Sequence, residues 1–259
     1  ADMTKEEFVK EVLTGLSAPP AYFPKNVAMN KSVNTEIDEI LKTGTIALDV
    51  DTFKVMATHE GAMIIDTRHQ NSFTKEHIPG SIFFGIDGGF APWIGTLVSD
   101  INQPIIIVAE QGREEEVVTR LSRIGYDNSL GYLKGGIMAW KEAGLETNSI
   151  ISLQPSEIVE LVNAEKSNLV DIRKPSEFIS EHVEEAVNAP LDVINDQMDD
   201  LSKDITYHVH CAGGYRSVIY ISIMKSRGYH NLIDVAGGFG LIKETEGFHL
   251  SEYVCPTTL

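Results

Sequence analysis

Short apolar, β-branched runs alternate along this chain with longer segments of mixed polarity. In the first half, Thr45 to Leu48, Met63 to Asp66, Ser81 to Phe84, Pro104 to Ala109 and Ser129 to Leu133 read as strands, with helix-compatible segments between them. In the second half the run Ile205-Thr-Tyr-His-Val-His210 reads as a strand, and Ser217 to Arg227 as the helix after it. Apolar runs too short for helices, separated by helical segments, predict an α/β fold with a parallel sheet covered on both faces. Asp51 and Ser156 stand where an N-cap is wanted, each before a helix-compatible segment. Near the start, Met3 to Leu16 reads as a helix that Ala18-Pro-Pro-Ala-Tyr-Phe-Pro24 breaks into an extended segment.

The pattern repeats. Ile46-Ala-Leu-Asp-Val-Asp51 aligns with Ile151-Ser-Leu-Gln-Pro-Ser156, and Ile64-Ile-Asp66-Thr-Arg68 with Leu169-Val-Asp171-Ile-Arg173. Phe73 matches Phe178, His77 matches His182, Gly125-Tyr126 matches Gly228-Tyr229, and Gly135-Gly136 matches Gly237-Gly238. A tandem duplication divides the chain into an N-terminal helix and proline-rich junction (1–45), a first domain (46–148) and a second (149–259).

The residue carrying most chemical information is Cys211, which ends the strand of the second copy and opens the loop Cys211-Ala212-Gly213-Gly214-Tyr215-Arg216-Ser217. Two glycines let the backbone curl with its N–H groups inward, and the first turn of the next helix leaves unpaired donors and partial positive charge. With Arg216 nearby, these influences favour a Cys211 thiolate, a nucleophile whose adduct the loop can also hold. An inert buried thiol would need neither the glycines nor the arginine, and no local signature of a papain-like Cys/His pair surrounds it. His208 and His210 share a strand face, but without further ligands at suitable spacing they read as half-buried strand histidines rather than a metal pair.

This loop resembles the active-site loop of the rhodanese family, sulfurtransferases that carry sulfane sulfur as a cysteine persulfide: Cys211 first, Arg216 last, four residues between, and a helix next. The phosphatases and arsenate reductases that share the fold place five residues between Cys and Arg. Asp66-Thr-Arg68 with His77-Ile-Pro-Gly80, and Asp171-Ile-Arg173 with His182, are similar to the family signatures flanking the second and third strands. The resemblance implies two rhodanese-like domains with Cys211 as nucleophile. It assigns substrate binding to Arg216, Ser217, Tyr215 and the backbone of Ala212, Gly213 and Gly214, and requires neither cofactor nor metal. Tyr215 is expected either to shape the pocket mouth or to face solvent. Asp171, Arg173 and His182 are expected to brace the sheet ends, with surface ion pairs as the alternative.

Where the second copy has Cys211 to Arg216, the first has Glu110-Gln-Gly-Arg113, a shorter loop with a carboxylate in place of the thiol, so the first domain is expected to be catalytically silent. Asp87-Gly-Gly-Phe90-Ala-Pro-Trp93-Ile-Gly95 is a Gly- and aromatic-rich loop, either a lid or docking surface or a locally packed segment. The Pro20-Ala-Tyr-Phe-Pro24 stretch and the following Asn26-Val-Ala-Met-Asn-Lys31 resemble the junction after the metallo-β-lactamase-like domain in persulfide dioxygenase–rhodanese fusions. A fused or separate dioxygenase is therefore an expected partner.

Composition narrows the classes further. The 259 residues are 42% hydrophobic and carry a net charge of -17, which argues against nucleic acid and anionic membranes as partners. No run is apolar and long enough to span a membrane, and no basic-then-apolar leader occurs, so a cytoplasmic location is expected. Two cysteines imply no disulfide framework, and Cys255, with no basic neighbour, reads as incidental. The expected activity is sulfur transfer from thiosulfate or a low-molecular-weight persulfide to a thiophilic acceptor. A non-catalytic persulfide carrier, or a Cys-dependent phosphatase or arsenate reductase, is the alternative.

Overall fold

A computed structural model describes residues 3–13, 23, 27, 36–59, 61–197 and 201–255. Two α/β units succeed one another, each a five-stranded parallel sheet flanked by helices. The first sheet contains β1 (Ala47–Leu48), β2 (Met63–Asp66), β3 (Ile82–Phe83), β4 (Ile105–Val108) and β5 (Ser129–Leu133), in the order β1-β5-β4-β2-β3. The second contains β6 (Ser152–Leu153), β7 (Asn168–Asp171), β8 (Val187–Asn188), β9 (Tyr207–His210) and β10 (Leu232–Val235), in the equivalent order β6-β10-β9-β7-β8. Every pairing within the sheets is parallel. The central strands β4 and β9 lie beside the point where the winding direction reverses. The loops at their carboxyl ends therefore face the crevice where ligands bind in such folds.

Strand alternation divides the core. Ile105 and Ile107 of β4 enter one cluster and Ile106 and Val108 another, because successive side chains leave opposite faces of the sheet. The first cluster continues without a break into the second unit, through Val170, Val209, Val218 and Ile221, so the two sheets share a core. Each unit also keeps a private cluster on its outer face, around Phe53 and Ile106 in one and Ile158 and Val235 in the other.

The helix Tyr215–Ser226 is the element that joins the units. Ser217 through Met224 are all buried, so every side of the helix is covered, as expected where it packs on its own sheet and on a second body at once. It meets β3 and the helix Gln70–Lys75 of the first unit, and Phe83 N–H donates to Ser222 Oγ across the interface at 3.0 Å. At the far end Lys225 Nζ reaches Ser149 O at 2.6 Å.

Several local expectations change. The helix Val50–His59 is capped by Asp49, whose carboxylate accepts from Thr52 N–H at 2.8 Å, so Asp51 lies in its first turn. Ser156 likewise lies inside the helix Pro155–Asn163, where Glu157 accepts the Gln154 N–H at 2.7 Å. In that second copy Pro155 takes the first helical position, since its fixed φ already suits a helix, and the cap moves upstream of Ser156. The helix after β9 begins at Tyr215, two residues before the expected Ser217. Near the N-terminus the helix spans Lys5–Leu13 with no buried residue, and the proline-rich junction lies outside the described residues apart from Phe23 and Val27. No helix among the described residues is long and apolar enough to cross a membrane.

Candidate active site

Cys211 comes directly after the last residue of β9 at the centre of the second sheet and is buried. Its neighbours Ala212 and Gly213 are exposed, so the loop leaves the sheet, turns at the surface and returns as a helix. Gly214 makes that return possible with φ of 85°, a left-handed value costly for a side chain, and its N–H then points back and donates to Cys211 Sγ at 3.1 Å. Ser217 Oγ lies 3.7 Å from the same sulfur, where it accepts the thiol proton. The sulfur thus sits inside the curl of its own loop with a backbone donor and a hydroxyl directed at it.

A second glycine pair supports this loop from beneath. Phe239 N–H donates to Cys211 O at 2.7 Å and Gly240 N–H to Ala212 O at 3.0 Å. Gly238 has φ of 58°, and a Cβ there would stand 2.4 Å from Cys211 O. In the sequence Gly237-Gly238 is visible only as a sign of the repeat; the close approach to the Cys211 backbone is a tertiary fact.

Arg216 does not stand free above the sulfur. Its guanidinium forms a two-pronged pair with Glu177, at 2.7 and 2.8 Å. Burial pushes the Glu177 carboxyl up, but the Arg216 hydrogen bonds and charge outweigh it and leave the group below its ordinary range. Glu177 is not among the residues that the sequence singles out. The available signal is its place one residue before Phe178, where the first copy has Ser72 before Phe73: the carboxylate occurs only in the copy with the thiol.

The Tyr215 side chain does not face solvent. It turns toward the first unit, donates its hydroxyl to Gly85 O at 2.7 Å and packs edge-on against Phe83. Burial, and then the charge of Asp87, push its phenol up. A Cβ on Gly88 would lie 2.2 Å from the Tyr215 ring, so the Asp87-Gly-Gly segment closes onto the active-site loop. The rest of that stretch, Phe90–Leu97, is a helix packed into the shared core, which makes the segment an interdomain buttress rather than a solvent-facing lid. Arg113, the last residue of the short first-copy loop, holds Asp87 at 2.8 Å. Glu110, in the place of the thiol, is exposed.

The Asp/Arg signatures are buried pairs, not surface ones. Arg173 grips Asp171 through three contacts of 2.5 to 3.0 Å and donates to Glu181 O at 2.8 Å. Arg68 repeats this with Asp66 and Glu76 O. His77 and His182 stack on Phe73 and Phe178, each with Nδ1 on that phenylalanine's carbonyl at 2.8 and 2.7 Å. His208 bonds Ser167 at 2.7 Å and His210 is buried beside Phe239; no cluster suited to a metal ion occurs among the described residues. Asp234 of β10 lies buried on Ser152 Oγ at 2.6 Å; burial pushes its carboxyl up against the hydrogen bonds from Ser152 and Ser217.

The rhodanese-like domain family matches twice, over residues 49–143 and 154–245. The chain belongs to that family. A sulfurtransferase of Allochromatium vinosum is 30% identical over 30% of this chain and 73% of its own length. The Ogataea parapolymorpha protein named adenylyltransferase and sulfurtransferase uba4 is 34% identical over 31% of this chain and 21% of its own. The chain therefore spans between 21% and 73% of these curated relatives. A rhodanese-related protein of Thermoplasma volcanium with a solved structure is 28% identical, covering 39% of this chain and 97% of that one, at a TM-score of 0.36.

Proposed function

We propose that this tandem rhodanese-like protein is a sulfurtransferase that holds sulfane sulfur as a persulfide on Cys211. The observation that carries the reading is the Gly214 N–H directed at Cys211 Sγ at 3.1 Å, at the carboxyl end of the central strand. Membership of the family and relatives named sulfurtransferases support the same class of chemistry.

In the first half-reaction the Cys211 thiolate attacks the outer sulfur of the donor. The new S–S bond forms as the old one breaks, and its electron pair leaves with sulfite or a thiolate. The terminal sulfur of the persulfide accepts hydrogen bonds from the loop N–H groups, with the inner sulfur already held by Gly214. An acceptor nucleophile, cyanide in an assay or a thiol or sulfite, then takes the outer sulfur and restores the thiolate. Ser217 Oγ, 3.7 Å from the sulfur, is placed to hydrogen-bond the thiol and, once the proton has left to solvent or donor, to donate to the thiolate. The first domain, with exposed Glu110 where the thiol would be, is silent and acts as the platform on which Tyr215 rests. A persulfide dioxygenase, fused or separate, is the partner this reading implies.

A non-catalytic persulfide carrier would use the same residues but turn over poorly with free acceptors. Intact mass of wild type and Cys211→Ser after brief exposure to thiosulfate or a glutathione persulfide, followed by cyanide and thiocyanate detection, separates the cases. One sulfur gained by wild type alone and released as thiocyanate is expected. Sulfur gained but not released points to the carrier, and no gain removes the sulfur reading.

A further inference from the structure

We infer that Glu177 sets the donor class of this site: by occupying Arg216 it makes Cys211 favour a hydropersulfide over the dianion thiosulfate. This rests on the sulfurtransferase reading above and deepens it.

Arg216 is the only arginine in the loop, and both prongs of its guanidinium are spent on Glu177. Arg173, the other arginine whose charge reaches Glu177, is spent on buried Asp171. These two cations are thus matched by carboxylates. The net charge of -17 extends the same sign to the whole molecule. The pair occurs only in the copy that carries the thiol: in the first copy Ser72 precedes Phe73, and Arg113, which ends the shorter loop, holds Asp87.

The two donor classes ask different things of this environment. Thiosulfate approaches as a dianion and its leaving group is sulfite, which departs with two negative charges. That step gains from a free cation and meets a neutralised one here. A hydropersulfide reacts as neutral RS–SH. The Cys211 thiolate attacks its outer sulfur, the S–S bond to the carrier breaks, and the electron pair leaves as RS⁻, while the proton stays on the transferred sulfur. Only one negative charge is present throughout, and the Gly214 N–H already faces it. Glu177 touches no reacting atom; it acts through Arg216 as a specificity-determining residue.

The test compares wild type and Glu177→Gln, both in a Cys255→Ser background so that Cys211 alone is read. Gln keeps an oxygen for Arg216 and for the Lys174 N–H while removing the charge. Two ratios are measured: kcat/KM for thiosulfate against the hydropersulfide of 2-mercaptoethanol, and the alkylation rate of Cys211 by anionic iodoacetate against neutral iodoacetamide. Wild type is expected to disfavour iodoacetate more strongly than free cysteine does. E177Q is expected to raise both ratios about tenfold or more. Ratios within about twofold of wild type, in a protein that still loads hydropersulfide, overturn the role of Glu177 and leave the sulfurtransferase reading standing. A shifted alkylation ratio with no loading of wild type by either donor overturns that reading and the donor assignment with it. Should E177Q not fold, the wild-type comparison decides: discrimination against iodoacetate no stronger than that of free cysteine overturns the inference.

Discussion

The hydroxyl of Tyr215, the fifth residue of the loop that begins with Cys211, donates to the carbonyl of Gly85 in the other domain at 2.7 Å. The Cys211 loop is thus tied at its helix end to a domain that lacks the thiol. Tyr215→Phe keeps the ring against Phe83 and removes one hydrogen bond, costing about 1 kcal/mol in chemical denaturation. The expected functional effect is a several-fold slower gain of sulfur by Cys211, read by time-resolved intact mass. An unchanged rate would show that the tether does not tune the loop.

Gly238 supports the loop from below, and alanine there would place its Cβ 2.4 Å from the carbonyl of Cys211 while holding a left-handed φ. Both faults are backbone faults that no side-chain rotation relieves. Gly238→Ala is expected to lose at least about 2 kcal/mol of stability and most sulfur loading. A variant with wild-type loading would mean that the reaction does not need this loop geometry.

Ser222 makes the interdomain bond that no apolar residue can replace. Its hydroxyl accepts from Phe83 N–H at 3.0 Å and donates to Ile219 O at 2.8 Å, in a wholly buried setting. Ser222→Ala strands the Phe83 N–H and is expected to cost about 1 to 3 kcal/mol in urea denaturation. Ser226→Ala, whose hydroxyl only bonds its own helix at Ile223 O, is the control and should cost far less.

Acid should weaken the fold in a defined window. Burial, against the hydrogen bond to Phe73 O and with the charges of Lys225 and Arg68, lowers His77 to about 4 from 6.5. Between those values the unfolded chain binds a proton that the folded one refuses, so stability present above pH 6.5 is lost as pH falls toward 4. The loss is on the order of 3 kcal/mol for this group. His208 and His210, both lowered first of all by burial, act in the same direction. His77→Asn should flatten the slope of unfolding free energy against pH between 6.5 and 4, measured by urea denaturation across that range.

Ionic strength offers a further check on the field of the whole molecule. With a net charge of -17, capture of an anionic donor should speed up as moderate salt screens the repulsion. Initial rates of sulfur loading from thiosulfate between low and physiological salt test this; a steep fall would contradict it.

Local patterns were legible in the chain because they arise from local forces. Met63 to Asp66 and Ser129 to Leu133 are strands over the expected residues, since short apolar runs bounded by turns are too brief for helices. Asp171 and Arg173 were visible as a repeated pair, yet their burial was not, because spacing in sequence carries no measure of what covers a side chain. The thiol, its glycines and its arginine could be found together because one strand-to-helix turn holds them all. Everything that reaches the loop from elsewhere was decided by the tertiary structure. Glu177 arrives on a helix 39 residues from Arg216, and Gly85 in the loop after β3, 130 residues from Tyr215. A sequence shows which groups are able to bond. Which of them meet depends on the packing of two sheets around one helix, where each buried donor takes whatever acceptor the fold brings within reach.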